Sequence, residues 1–215
     1  MSDRFKYPRT PHLPWSPGAS GDDITLSDTS GFHQKIVVVT EKMDGENSSL
    51  YQDYMHARSV HSRHHPSRNW LKRFHSEFAH QIPDGWRICG ENMYAVHSIE
   101  YHHLPSYFLA FSIFNEQNIC LSWEDTLTHC SDLNLKTPGV IYQGLWDAKL
   151  ISSLSFDADQ VEGYVVRVAE SFHFNDFSKN VAKYVRKNHV STTDHWMHQS
   201  IKPNKLKSES DEFIL

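Results

Sequence analysis

Residues Lys35–Asn47 read KIVVVTEKMDGEN, and this stretch decides the fold. Lys35 to Thr40 is a β-branched run that predicts a buried strand. The strand runs out through Glu41 and Lys42, and Asp44-Gly45 then supplies a turn. A lysine at a strand end beside a glycine turn can sit in a pocket where backbone comes close to a ligand. Lysine attacks only as the free amine, so a nucleophile here needs nearby cations or a metal to lower its pKa. Taken alone, the pattern from Lys42 to Gly45 also suits a surface turn with a solvated lysine.

Outward from that strand, the chain mixes strands and helices with no regular strand–helix repeat, which points to an α+β fold. Ser48 to Ser59 predicts strand and turn. Trp70, Leu71, Phe74, Phe78 and Ile82 fall at helical spacing, so Arg68 to Gln81 predicts an amphipathic helix that stops before Pro83. Trp86–Cys89, Tyr107–Asn115, Gly163–Val168 and Ala182–Lys187 predict strands, and Trp123–Cys130 and Asp147–Ser155 predict helices. Residues 1–30 are proline-rich and predict an extended lead-in with turns, packed through Trp15. Residues 31–200 then form the main domain, and residues 201–215 a flexible, loosely held tail.

The chain has 215 residues, 39% of them apolar and 22% charged, a composition able to fold around a core. There is neither a run long enough to span a membrane nor a secretory leader in the sequence. Cys89, Cys120 and Cys130 form no paired motif, which suits a reducing, cytoplasmic setting. The net charge of −5 is unevenly spread: Asn115 to Glu170 holds nine acids against three bases, and the remainder sums to +1. His56–His75 and Ser178–Thr193 contain bases but no acid, and a phosphate feels such local fields rather than the sum.

Further motifs follow Lys42 in order: Gly90-Glu91-Asn92, the aromatic strand with Phe111, Glu162-Gly163 opening another strand, and the basic run Ala182–Lys187. This ordered set resembles the covalent nucleotidyltransferase superfamily of ATP-dependent RNA and DNA ligases and mRNA capping enzymes. Within it, the small RNA ligases are most similar, because Glu41 precedes the lysine and Asn47 follows it by five. The resemblance spans about Thr40 to Lys187. It implies an α+β nucleotidyltransferase domain, the ATP-grasp-like adenylation domain of ligases, with antiparallel sheets and flanking helices.

The resemblance also implies roles. Lys42 would attack ATP and carry AMP, with Asp44 and Asn47 in the catalytic group. The adenylyl group would pass to an RNA 5′-phosphate, and a 3′-hydroxyl would displace AMP. Glu41 would lie beside adenine, Phe111 would stack on it, Glu91 would bind a ribose hydroxyl and Arg58 ribose or phosphate. Glu162 would help hold Mg2+ or Mn2+. In the last strand Lys183 and Lys187 share a face and would bind the triphosphate, with Arg186 as the alternative.

The sixteen histidines include a cluster from His61 to His65 that lacks the partners of a zinc site. Arg63, Arg68 and Lys72 could instead hold RNA phosphates, or the segment is a solvated loop with Ser67 as the helix N-cap. His189, His195 and His198 have no assignable role, and Tyr101–His103 suggests a loop. Too few residues follow Lys187 for the OB-fold that ligases of this superfamily commonly carry, so substrate grip would fall to His56–His75 or to a partner protein. An end-healing kinase or phosphatase would suit RNA repair. A GTP-using capping-type transferase, a DNA ligase, and a non-catalytic nucleotide- or RNA-binding module are the alternatives.

Overall fold

A computed structural model describes residues 3–187 and 201–207. The β-branched run forms β1 (Ile36–Lys42), and its neighbours assemble a four-stranded antiparallel sheet in the order β10-β8-β1-β7, with β7 Val140–Leu145, β8 Gly163–Val168 and β10 Val181–Val185. The turn at Asp44-Gly45 passes the chain into a second sheet of order β3-β2-β4-β5-β6-β9. Its strands are β2 (Glu46–Leu50), β3 (Met55–Ala57), β4 (Arg87–Asn92), β5 (Phe108–Phe114), β6 (Ile119–Cys120) and β9 (Phe172–His173). Gly45 permits that passage: a Cβ there would lie 2.7 Å from the Asn92 carbonyl oxygen.

Register fixes which side chains meet. Lys42, Thr40 and Val38 lie opposite Gly163, Val165 and Arg167, and β10 adds Val185, Lys183 and Val181 to the same rows. Residues directly opposite in a ladder share a face, so Lys42 and Lys183 project from one face of this sheet. The other face carries Val37, Val39, Tyr164, Val166 and Val168 into a core with Phe32, Trp146 and Ile151. The lead-in completes that core. Trp15 stacks on Trp146 at 6.2 Å and donates to the Tyr164 hydroxyl at 3.0 Å, and Leu13 N–H donates to the Lys183 carbonyl. The six-stranded sheet packs Ile88, Ala110 and Ile113 against Leu71 and Phe78 of α1 (Asn69–Phe78) and Cys130 of α2 (Trp123–Asp132).

Several expectations need correction. The helix predicted over Arg68–Gln81 is α1 flanked by 3-10 turns at Pro66–Arg68 and Ala79–Gln81. Ser67 is not its N-cap; the His65 ring accepts from Ser67 N–H to cap the preceding turn instead. The helix predicted over Asp147–Ser155 is only α3 (Ala148–Ser152), capped by the Asp147 carboxylate. α4 (Phe177–Asn180) was not foreseen. Strand β7 was also missed, because it is a largely exposed edge strand with little apolar alternation. The tail is not loose over its described part: Asn204 is 2% exposed and buried among the residues that follow β4. Residues 208–215 and His189, His195 and His198 lie outside the described residues. Among those described, all three cysteines are buried free thiols, and no helix is long and apolar enough to cross a membrane.

Gly163 lies opposite Val185 of β10, and a Cβ there would collide with the Tyr184 carbonyl. Gly163→Ala is therefore expected to destabilise the domain by about 1–3 kcal/mol, read as a lower urea midpoint with the slope unchanged.

Candidate active site

Residues of both sheets line one cavity of about 340 Å3. From the four-stranded sheet come Lys42, Val165, Arg167 and Lys183; from the other come Asn47, Glu91 and Phe111. Asn47 and Glu91 lie directly opposite each other on β2 and β4, which turns both toward Lys42. Arg58, one residue beyond β3, closes that side. Glu41 belongs to the other face of β1, yet its carboxylate reaches the rim and accepts from Gly139 N–H at 3.2 Å. Phe111 is steadied by the edge of Tyr7 at 5.3 Å.

Lys42 Nζ donates to the Glu162 carboxylate and forms an ion pair with it. Glu162 is 7% exposed and lies beneath the lysine rather than on the cavity wall. The backbone holds the pair in register, because Glu162 N–H donates to the Lys42 carbonyl and Arg186 N–H to the Glu162 carbonyl. Burial pulls the lysine pKa down, but the Glu162, Glu91 and Asp44 carboxylates outweigh it, so the pKa lies above its ordinary value. The strongest protein charges on Lys42 are negative, so a lowered pKa would need a metal or other cations to offset these carboxylates. Burial also pushes Glu91 up to about 8, helped by Glu162 and Asp44 and opposed by Lys42.

That crowding of carboxylates suits a hard divalent cation, which takes oxygen ligands. No group of three or more His, Cys, Asp or Glu able to hold an ion occurs among the described residues. Glu162, expected to help hold the ion, has its carboxylate on Lys42 and lies off the cavity wall, so phosphate and water oxygens would have to supply most of any shell. Lys183 forms an ion pair with Asp23 at 3.6 Å, and its pKa is lowered by burial and by Lys42 against the pull of Asp23.

Not every anticipated residue reaches the cavity. Asp44 does not line it; its Oδ2 accepts from Ser98 N–H, Ser98 hydroxyl and Ile99 N–H at 2.7–2.8 Å, which makes it a positioning group. Arg186 and Lys187 both lie past the end of β10 and off the cavity wall, Lys187 being exposed. Arg68 was expected to hold phosphate, but it is 6% exposed and its guanidinium is bound to Glu46 and to the Arg63 carbonyl. Arg63 and Lys72 line a separate groove of about 470 Å3 together with the Glu46-bound Arg68, His56, His64 and the acidic Asp53. Lys72 Nζ is 3.0 Å from His64 Nδ1 there.

The sequence reading overlooked Tyr7–Thr10, Asp22–Ile24, Trp123 and Arg167, all of which line the cavity. The lead-in gave no signal because proline-rich chain shows no period. Arg167 could have been found from the alternation of Gly163–Val168, which puts it on the face of Val165. The acidic central segment contributes Glu162 to the site.

A carboxylic acid with a raised native pKa holds its proton longer when folded, so its contribution to stability is complete below about 4.5 and lost as pH rises through about 8. Glu91→Gln in chelator-treated buffer should therefore lose less stability than the parent between pH 5 and 8, measured by urea titration at each pH.

A sequence model of the RNA ligase family matches residues 35–185, well over half of the chain. No curated protein matches the sequence. Among solved structures, the Naegleria gruberi RNA ligase with PPi has a TM-score of 0.51 and 15% identity, covering 86% of this chain and 61% of that one. An archaeal ATP-dependent RNA ligase, form 1, has a TM-score of 0.51 and 16% identity, covering 74% and 45%. The chain spans less than two thirds of the length of either ligase. At such identities the likeness is one of fold, an α+β arrangement of two antiparallel sheets with few helices. The family match covers β1 through β10, from Lys42 to Lys183, and on that match the chain belongs to the RNA ligase family.

Proposed function

We propose that this chain is an ATP-dependent RNA ligase that joins 5′-phosphate and 3′-hydroxyl RNA ends through a lysyl-AMP intermediate. One observation carries the reading. Arg58 Nε and Nη2 and Asn47 Oδ1 are buried without a hydrogen-bond partner, and both residues line the cavity that holds Lys42 and Lys183. Buried polar atoms are normally satisfied, so a cavity that leaves them open is built for a polar ligand. A nucleoside triphosphate matches in charge, with two cationic groups for phosphates and an aromatic ring for the base.

In the first step, the Lys42 amine attacks the α-phosphorus. A nitrogen–phosphorus bond forms, the bond to the bridging oxygen breaks, and pyrophosphate leaves. Glu162, already hydrogen-bonded to Nζ, keeps the amine aimed and is the nearest acceptor for its proton. A bound Mg2+ or Mn2+ supplies positive charge that neutralises the carboxylates and the triphosphate. Lys183 and Arg58 hold phosphates, Phe111 stacks on adenine beside Glu41, and Glu91 hydrogen-bonds a ribose hydroxyl. Asn47 faces the reacting phosphate. The RNA 5′-phosphate then takes the adenylyl group, and the 3′-hydroxyl displaces AMP. Each displacement is in line, so catalysis is mainly positioning and charge neutralisation.

The groove with Arg63, His64 and Lys72 is the RNA phosphate track of this reading. RNA repair is the setting, with an end-healing kinase or phosphatase as partner, and the buried free thiols suit the cytoplasm.

Incubation with α-labelled ATP and Mg2+ or Mn2+ should leave label on the denatured protein. Lys42→Ala should abolish it, and Arg58→Ala should lower its rate about 100-fold. No label with any metal or nucleotide would overturn the reading. Arg63→Ala with Lys72→Ala should leave labelling intact while weakening single-stranded RNA binding, with the salt slope of log K reduced by roughly 1.4.

A further inference from the structure

The segment Lys202–Lys207 is zipped onto the loop that follows β4. Lys202, Lys205 and Leu104 carbonyls accept from Val96, Leu104 and Lys207 N–H, while Asn204 and Lys205 N–H donate to Tyr94 and Tyr101 carbonyls, at 2.8–3.1 Å. Lys202 also forms an ion pair with Glu100. At the centre, the Asn204 side chain satisfies three backbone groups of that loop. Its Oδ1 accepts from Tyr101 N–H at 2.8 Å, and its Nδ2 donates to the Met93 and Ala95 carbonyls at 2.7 and 3.3 Å. The Tyr107 hydroxyl donates to the Asn204 carbonyl at 2.8 Å.

The loop held in this way grips the turn after β1. The Tyr101 hydroxyl accepts from Asp44 N–H at 2.9 Å, and Ser98 and Ile99 bind the Asp44 carboxylate. Met43 packs against the apolar cluster of Met93, Ile99, Tyr101, Leu104 and Leu109. Two hydrogen bonds, joined by the covalent frame of Tyr101 from its backbone N–H to its hydroxyl, therefore connect Asn204 to Asp44, two residues from Lys42. Asp44 N–H has Tyr101 as its partner, and Tyr101 N–H has Asn204. Loss of either contact strands a buried amide and frees the turn that aims the lysine.

We propose that residues 202–207 form a clasp on the nucleophile's turn, with Asn204 as a positioning residue that acts on Lys42 through Tyr101 and Asp44. The inference rests on the ligase reading for its kinetic consequence, but its structural claim stands apart from it. The clasp ties the orientation of Lys42 to a segment 160 positions later in the chain.

The test uses the full chain with Asn204→Ala and, because that change leaves buried groups unpaired, also Tyr101→Phe, which removes one hydroxyl and keeps the ring. Thermal melting confirms folding. Each variant should lower the single-turnover labelling rate at saturating ATP about 10- to 100-fold. The ATP concentration for half-maximal rate should stay within about twofold. The double variant should be no slower than the slower single one, because both residues act on one path. Amide exchange over residues 42–46 should quicken in Asn204→Ala. A lowered melting temperature with parental labelling rate would overturn the proposal, and so would unchanged exchange over 42–46. A parent chain that takes no label defeats the ligase reading instead, and the exchange measurement then decides the clasp by itself.

Discussion

The ion pair between Lys42 and Glu162 ties the structure together, and the antiparallel ladder of β1 and β8 creates it. Lys42 ends one strand, and Glu162 precedes the other by one residue, so closing the ladder delivers the carboxylate to the amine. Gly163 lets β10 pass close enough to add Lys183 to the same face. The charges that result are unusual for a buried wall: two lysines, an unpaired arginine and several carboxylates share one cavity. Such groups are costly to desolvate, and their arrangement makes sense as preorganisation for a highly charged ligand.

A second constraint acts from behind. Asp44 and Gly45 must make a sharp turn between two sheets, and the turn has little apolar surface of its own. Its rigidity is borrowed from the loop after β4 and from the segment around Asn204. The lysine is thus aimed from two sides, by Glu162 on the neighbouring strand and by a hydrogen-bonded scaffold under Asp44. The lead-in provides a third wall, with Tyr7 against Phe111 and Asp23 against Lys183.

The elements most legible in the sequence are those whose residues carry their own local signal. The β-branched run of β1, the aromatic β5 and the alternation of β8 appear where periodicity puts them. Edge strand β7 was invisible because both its faces are partly exposed and its residues alternate weakly. Short β6 and β9 were missed because two residues hold no period. Among site residues, Lys42, Asn47, Arg58, Glu91, Phe111 and Lys183 do line one cavity. Arg68 misled because a charge in a basic run gives no sign that Glu46, far away in sequence, will claim it.

The sequence by itself determined the family, the α+β class and the order of the chemical groups, because these depend on residue types and their order along the chain. Tertiary structure decided the electrical state of the lysine, the partner of every buried charge and the inclusion of residues 7–24 and 202–207 in the site's support. Those properties depend on distance in space. A pKa, an ion pair or a clasp arises between segments that folding brings together, and nothing local in either segment announces the other.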